Sequence, residues 1–282
     1  MNKKIFIRPY KSGSHSVNAL CEALGARKIR VTGSRYKPRP NHAYIVWGGV
    51  LPAGAPIPPV VLNRRAGPVF ANKANFFENL KESGLFDENL PFFYTRRTDL
   101  IEALDGVKKV RVYCRELLNG HGGAGITVLD NPKPEDIPVS PLYTLACNSM
   151  SDRTVATEFR INFVSQDLEI NEDTDVSVLA VKKAARAGNW EEIDHRVKNH
   201  DNGWVFAELS DLETGNYLQE LTNIATKFCR YSGLHFGALD IIYNRKKDKY
   251  FLLEYNSAPG IEGRTVEFYA DSLKEVINED YT

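Results

Sequence analysis

Phe236-Gly-Ala-Leu-Asp240-Ile-Ile-Tyr-Asn244, the polar stretch Arg245–Lys249, and Tyr250-Phe-Leu-Leu-Glu254-Tyr-Asn256-Ser-Ala-Pro-Gly260 read as two β-rich runs around a chain reversal. A polar turn between two such runs predicts a hairpin. With Asn244 and Tyr250 closing a five-residue loop, Asp240 falls opposite Glu254, their Cβ atoms about 5 Å apart. Asn256 lies two residues beyond Glu254 and shares its face. Two carboxylates and an amide oxygen gathered on one sheet face repel one another unless a cation sits between them. Hard oxygen donors of this kind suit magnesium, with nucleotide phosphates completing the shell. The plain alternative is that Asp240 and Glu254 pair with lysines or arginines of a neighbouring strand.

Upstream, Cys114-Arg115-Glu116-Leu117-Leu118-Asn119-Gly120-His121-Gly122-Gly123-Ala124-Gly125-Ile126 joins one strand to the next. Backbone N–H groups of a glycine-rich loop approach phosphate oxygens closely. No Gly-Lys-Ser/Thr follows, so this is not a Walker loop, and no helix opens there as a dinucleotide fingerprint requires. Arg115, at the end of the entering strand Lys109–Arg115, is placed to hold the same phosphates. Alternation in that strand puts Val110, Val112 and Cys114 on one face and Arg111, Tyr113 and Arg115 on the other.

Further outward, residues 3–70 read as strand Lys4–Ile7, helix Ser16–Leu24, strand Lys28–Val31 and strands Tyr44–Trp47 and Val60–Leu62, a small α/β layer with a parallel sheet. Ala43–Asn63 carries no charge, but its glycines and prolines forbid a spanning helix. Asn72 caps a helix Lys73–Ser83 that Gly84 stops, and a short helix follows Thr98. Strands are expected at Ile126–Leu129, Pro141–Cys147, Val155–Val164 and Val176–Lys183, and a helix at Gly215–Ser232 with Leu218, Leu221, Ala225 and Phe228 as its apolar stripe.

The strand-borne cation, the glycine loop, and the downstream Asp, Glu-x-Asn and Pro-Gly together resemble the ATP-grasp superfamily. The likeness is to its carboxylate–amine ligase branch, the relatives of ribosomal-protein glutamate ligase, and to predicted ATP-grasp proteins of bacteriophages. It covers roughly residues 70–270. The resemblance implies an α/β (α+β) fold with three parts: an N-terminal α/β domain over 1–70, a small grasp subdomain over 71–147, and a C-terminal subdomain over 148–282. It implies ATP and magnesium as cofactors, with Asp240, Glu254 and Asn256 as metal ligands. Lys73, Arg115, His121, Gly122, Gly123, Gly125, Lys183 and Asn199 would contact the nucleotide. The backbone of the segment Pro141–Thr144, with Leu142 and Tyr143, would read adenine. Arg160, in Glu158-Phe-Arg160, Lys183 and Arg196, in Arg196-Val-Lys-Asn-His-Asp-Asn-Gly203-Trp204, would surround the transferred phosphoryl group. Lys182 and Lys183 point to opposite faces of their strand, and Lys183 is the one assigned inward. The family usually has lysine where this chain has Arg115, which alters the phosphate contact.

The implied activity is an ATP-dependent ligase that activates a small-molecule or peptide carboxylate as an acyl phosphate for attack by an amine. An ATP-grasp kinase acting on a hydroxyl and a silent nucleotide-binding module are the competing readings. The chain has 282 residues, and its 36 Lys plus Arg against 36 Asp plus Glu give zero net charge. That balance argues against a nucleic-acid coat despite the basic stretch Arg27–Arg39. Hydrophobic residues at 43% and charged residues at 26% are those of a globular chain. Four scattered cysteines without Cys-x-x-Cys spacing, and only three apolar residues before Arg8, predict a cytoplasmic protein with no disulfide framework, no secretory signal and no membrane span. Oligomeric state is not readable from the sequence.

Overall fold

The computed structural model describes residues 3–11, 13–30, 36–49, 51, 57–64, 70, 72–119, 123–147, 156–186 and 194–278. Three sheets follow one another along the chain, each drawn from one stretch of sequence.

The first contains β1 (Lys4–Pro9), β2 (Arg27–Lys28), β3 (His42–Trp47) and β4 (Val60–Leu62), all parallel in the order β2-β1-β3-β4. Helix α1 (His15–Leu24) supplies the crossover after β1. The expected strand Lys28–Val31 is reduced to the two-residue β2, and Val31 lies outside the described residues.

Helix α2 (Lys73–Ser83) starts where Asn72 Oδ1 accepts the amides of Ala74 and Asn75, and ends at Gly84 with φ of 66°. Beyond it, β5 (Phe93–Tyr94), α3 (Arg97–Ala103), β6 (Arg111–Arg115), β7 (Ile126–Asp130) and β8 (Leu142–Leu145) build an antiparallel sheet in the order β5-β8-β6-β7. The glycine loop is thus the hairpin between β6 and β7. Alternation in β6 is as expected: Val112 and Cys114 are buried with Leu100, Ile137 and Tyr143.

The third sheet runs β11-β10-β9-β12-β13, antiparallel throughout, from β9 (Ala156–Ser165), β10 (Val176–Ala185), β11 (Trp204–Glu208), β12 (Phe236–Asn244) and β13 (Lys249–Asn256). Between β11 and β12 lies α4 (Asp211–Ser232), four residues longer at its start than the apolar stripe predicts. The start signal is a capping box: the Glu213 amide donates to Ser210 Oγ, while the Glu213 carboxylate accepts the Ser210 amide. Helix α5 (Arg264–Asn278) closes the fold.

The hydrophobic clusters cross the sheets. Phe76, Phe77 and Leu80 of α2 pack with Phe159 and Phe163 of β9, Phe228 of α4 and Tyr255 of β13. Ile7, Ile45 and Trp47 pack with Val17 and Leu20 of α1, Tyr269 and Leu273 of α5, and Phe236 at the start of β12. Trp47 stacks on Phe236 with ring centroids 5.2 Å apart.

Asn63 fastens the end of the first sheet to that strand start. At φ of 55° its amide nitrogen donates to Phe236 O (2.8 Å) and its Oδ1 accepts the backbone amides of His235 (2.7 Å) and Phe236 (3.2 Å). Alanine there would leave the backbone N–H groups of His235 and Phe236 without this partner, while Phe236 O keeps the Tyr255 hydroxyl (2.9 Å); each such loss costs about 1–3 kcal/mol. Asn63→Ala is expected to lower the free energy of unfolding by about 3 kcal/mol in urea titration; a change below about 0.5 kcal/mol would contradict this role.

Candidate functional site

The hairpin of β12 and β13 places Asp240 opposite Glu254, as expected, but by a different route. The turn is one residue shorter than the spacing suggests, with Asn244 paired to Lys249, Tyr243 to Tyr250 and Ile241 to Leu252. Leu253 is then an extra residue on β13, a bulge that restores the Asp240–Glu254 pairing. The bulge also brings Leu253 and Glu254, neighbours in sequence, to the same cavity. On its other side Asp240 pairs with Arg160 of β9, so Arg160, Asp240 and Glu254 form one row across three strands.

This row floors a cavity of about 570 Å³, within the range of about 300–1,000 Å³ typical of small-ligand sites. Its walls come from all three sheets: Tyr10 beyond β1, Arg115, Gly123 and Ala124 of the glycine hairpin, Thr144, Leu145 and Cys147 along and after β8, and residues 196–200 ahead of β11.

Both carboxylates are paired. Arg160 holds Asp240 with two parallel bonds, Nε to Oδ1 at 2.7 Å and Nη2 to Oδ2 at 2.8 Å. Lys73 Nζ lies 3.0 Å from Glu254 Oε2. The plain alternative to a metal is therefore what these side chains do here, although both cations also line the cavity. Burial pushes the Asp240 carboxyl upward against the pull of Arg160. Burial raises Glu254 too, but Lys73, then Arg160 and Arg115, outweigh it and hold that carboxyl down to about 2. Asn256 donates its amide nitrogen to Glu254 Oε1 at 3.3 Å. Among the described residues no three His, Cys, Asp or Glu side chains cluster as a metal site. The donor set that fits magnesium is two carboxylates plus the Asn256 amide oxygen, all hard oxygens at one cavity wall.

Lys183 faces the cavity, bonded to Glu158 and donating to Lys198 O at 2.7 Å. Lys182 points the other way, to Glu213 of α4. Arg115 lines the cavity with its Nε sealed from solvent and without a hydrogen-bond partner among the described residues. Burial lowers its pKa from the ordinary arginine value against the attraction of Glu254, yet a guanidinium stays charged. A buried N–H without a hydrogen-bond partner is costly.

The remaining residues divide. Gly123 lines the cavity at φ of 81°, and a Cβ there would sit 2.6 Å from Val197 Cγ1 and 3.1 Å from Asn199 Nδ2, so only glycine lets the loop meet that segment. Asn199 lines the cavity, and its Oδ1 accepts the Asn202 amide at 2.8 Å. Gly125 is not in the lining; it has φ of 69° and packs beside Leu117. His121 and Gly122 lie outside the described residues. Arg196 reaches the cavity rim, half-exposed and bonded to Asp194 at 3.2 Å.

Leu142 and Tyr143, whose backbone the resemblance implies for adenine, do not line the cavity. Both side chains are fully buried in the core, Tyr143 donating to Pro138 O at 2.8 Å, and their strand pairs with Arg115 and Cys114 of β6. Thr144, Leu145 and Cys147 are the residues of this stretch that reach the cavity. Sequence reading also passes over Glu158, Lys198 and Phe206. Glu158 was legible, since it sits two residues before Arg160 on the same strand face. Phe206 carries the Arg160 guanidinium 4.4 Å above its ring, a contact between strands that spacing does not reveal.

No family model and no curated protein matches this chain. Solved structures do. The D-alanyl-alanine synthetase A of Vibrio cholerae aligns over 98% of this chain and 99% of its own at 15% identity, with a TM-score of 0.57. The RiPP-associated ATP-grasp ligase of Chryseobacterium gregarium, in complex with ADP and a leader and core peptide, aligns over 100% and 98% at 13% identity, with a TM-score of 0.60. The ATP-grasp ligase PsnB, complexed with a minimal precursor, magnesium and ADP, aligns over 99% of each chain at 13% identity, with a TM-score of 0.57. The chain has the ATP-grasp fold.

Since folding takes Glu254 from the ordinary value of 4.5 down to about 2, its bond to Lys73 stabilises the fold fully above pH 4.5. That contribution is lost as pH falls toward 2. Unfolding free energy measured between pH 4.5 and 2 is expected to drop more steeply in the wild type than in Glu254→Gln; parallel slopes would contradict the assignment.

Proposed function

We propose that this protein is an ATP-dependent carboxylate–amine ligase, working through an acyl phosphate and releasing ADP and phosphate. The observation that carries the reading is the buried Arg115 Nε, without a hydrogen-bond partner among the described residues, in one cavity with the oxygen donors of Asp240, Glu254 and Asn256. A phosphate chain satisfies the first and a divalent cation the second. Structures of like fold that contain ADP, or ADP with magnesium, support the same reading.

In this account Asp240, Glu254 and Asn256 hold magnesium, which neutralises phosphate charge when bound. Arg115 and the backbone of the glycine loop, at His121, Gly122 and Gly123, hold the phosphates, with Lys73 and Asn199 beside them. Lys73 and Arg160 exchange their carboxylate partners for ligand oxygens. Arg160 uses only two of its five N–H groups on Asp240, which leaves three for a phosphoryl or acyl oxygen. Lys183 adds a fixed charge to the same region, and Arg196 does so at the rim. Thr144–Cys147, where the β8 stretch meets the cavity, takes the place of Leu142 and Tyr143 beside adenine. Contact of Gly123 with Val197 and Asn199 shuts water away from an acyl phosphate that water would destroy.

The substrates in this reading are a carboxylate and an amine, on small molecules or a peptide. No helix among the described residues is long and apolar enough to cross a membrane. Four free cysteines support a cytoplasmic setting, and kinship with bacteriophage ATP-grasp proteins belongs to the same reading.

ADP release across a panel of carboxylates and amines tests the proposal. Release of both ADP and free phosphate that requires both substrates is expected, with a condensed product by mass. Asp240→Asn and Glu254→Gln are each expected to cut turnover by at least about 100-fold while the far-ultraviolet circular dichroism is kept. Phosphate retained on a hydroxyl acceptor would make the protein a kinase, and full turnover in both variants would overturn the metal assignment.

A further inference from the structure

The segment ahead of β11 holds a cation to which no role falls above. Lys198 lines the cavity, and its Nζ rests 4.8 Å from the centroid of the Trp204 indole. Lys73, Arg160, Lys183 and Arg196 each bond a carboxylate, whereas Lys198 bonds none among the described residues. The carboxylate that acts on it, Glu158, is already held by Lys183, a second positive charge beside it. Burial lowers the Lys198 ammonium from the ordinary lysine value, more than Glu158 offsets. The indole face attracts the ammonium, but a partly buried cation with a second lysine beside it is best satisfied by an anion.

Its position is built rather than incidental. The Asn202 backbone amide donates to Asn199 Oδ1 at 2.8 Å and its side-chain amide to Val197 O at 2.7 Å. The Trp204 backbone amide donates to Asn199 O at 3.0 Å and its indole Nε1 to Asp194 O at 2.9 Å. Lys183 Nζ ties the carbonyl of Lys198 itself. The platform under Lys198 is therefore bonded on every side, and Gly123 of the glycine loop meets the residues flanking it.

We propose that Lys198 is an anion-gripping residue of this cavity, its ammonium taking a phosphoryl oxygen of the bound ligand together with Arg115. The inference rests on reading the cavity as a polyphosphate site and assigns that site a second cation, steadied by an indole. A lysine serving only to cover Trp204 with its stem would leave ligand affinity unchanged when its charge is removed.

Calorimetric titration of the full chain with inorganic tripolyphosphate, and separately with ATP and magnesium, tests this in the wild type and in Lys198→Met, Lys198→Gln and Lys198→Arg. Both neutral variants are expected to bind each ligand about tenfold more weakly, with a shallower dependence on salt and an unchanged melting temperature. Lys198→Arg is expected to keep most of the affinity. Equal tripolyphosphate affinity in the wild type and the neutral variants overturns the proposal, as does a wild type that binds no tripolyphosphate. Tripolyphosphate binding that depends on Lys198, without ATP binding, upholds the inference and overturns the nucleotide reading instead.

Discussion

The row Arg160–Asp240–Glu254 across β9, β12 and β13 is the interaction on which the cavity depends. Asp240 is buried, and a carboxylate there is tolerated only because a guanidinium meets it with two parallel bonds. Lys73 does the same for Glu254 from the first turn of α2, and Lys183 for Glu158. Each buried acid has brought its own counter-ion to the wall. The charges of this row are thus balanced within the wall itself. Arg115 and Lys198 stand outside this pairing.

Packing explains why the row stays in register. Trp47 stacked on Phe236, and the Asn63 side chain bonded to both the N–H and the C=O of Phe236, set the start of β12 against the first sheet. Tyr269 of α5 donates to Gly237 O at 2.7 Å, one residue further on. With the strand start so held, the short turn at Asn244–Lys249 would shift β13 by one residue relative to Asp240. The Leu253 bulge removes the shift. A slip of one residue would have turned Glu254 to the other face.

Much of this was legible in the residues. Alternating apolar positions gave β6 its faces, and the caps at Asn72 and Gly84 bounded α2, because both rest on local hydrogen bonding. The opposition of Asp240 and Glu254 follows equally from a five-residue loop or from a four-residue loop with a bulge, and spacing alone does not distinguish the two. The start of α4 was missed because its signal is the Ser210–Glu213 box, polar residues ahead of the stripe. Of the stretch Pro141–Thr144 only Thr144 lines the cavity; Leu142 and Tyr143 face the core of the second sheet, a consequence of β6–β8 pairing that sequence spacing does not carry. Ion-pair partners were the least legible of all. Arg160, Lys73 and Lys183 come from strands or helices far from their acids in sequence, and only the fold joins them.

A magnesium–nucleotide site in this cavity would set its phosphates against the Arg115 Nε, which has no hydrogen-bond partner among the described residues. Titrating ADP into the protein with and without magnesium, in the wild type and in Arg115→Met, tests it most directly. One-to-one binding that magnesium strengthens, and that the methionine variant loses while still folded, is the predicted result. A folded wild type that binds no ADP, or a methionine variant that binds it equally well, would contradict the account.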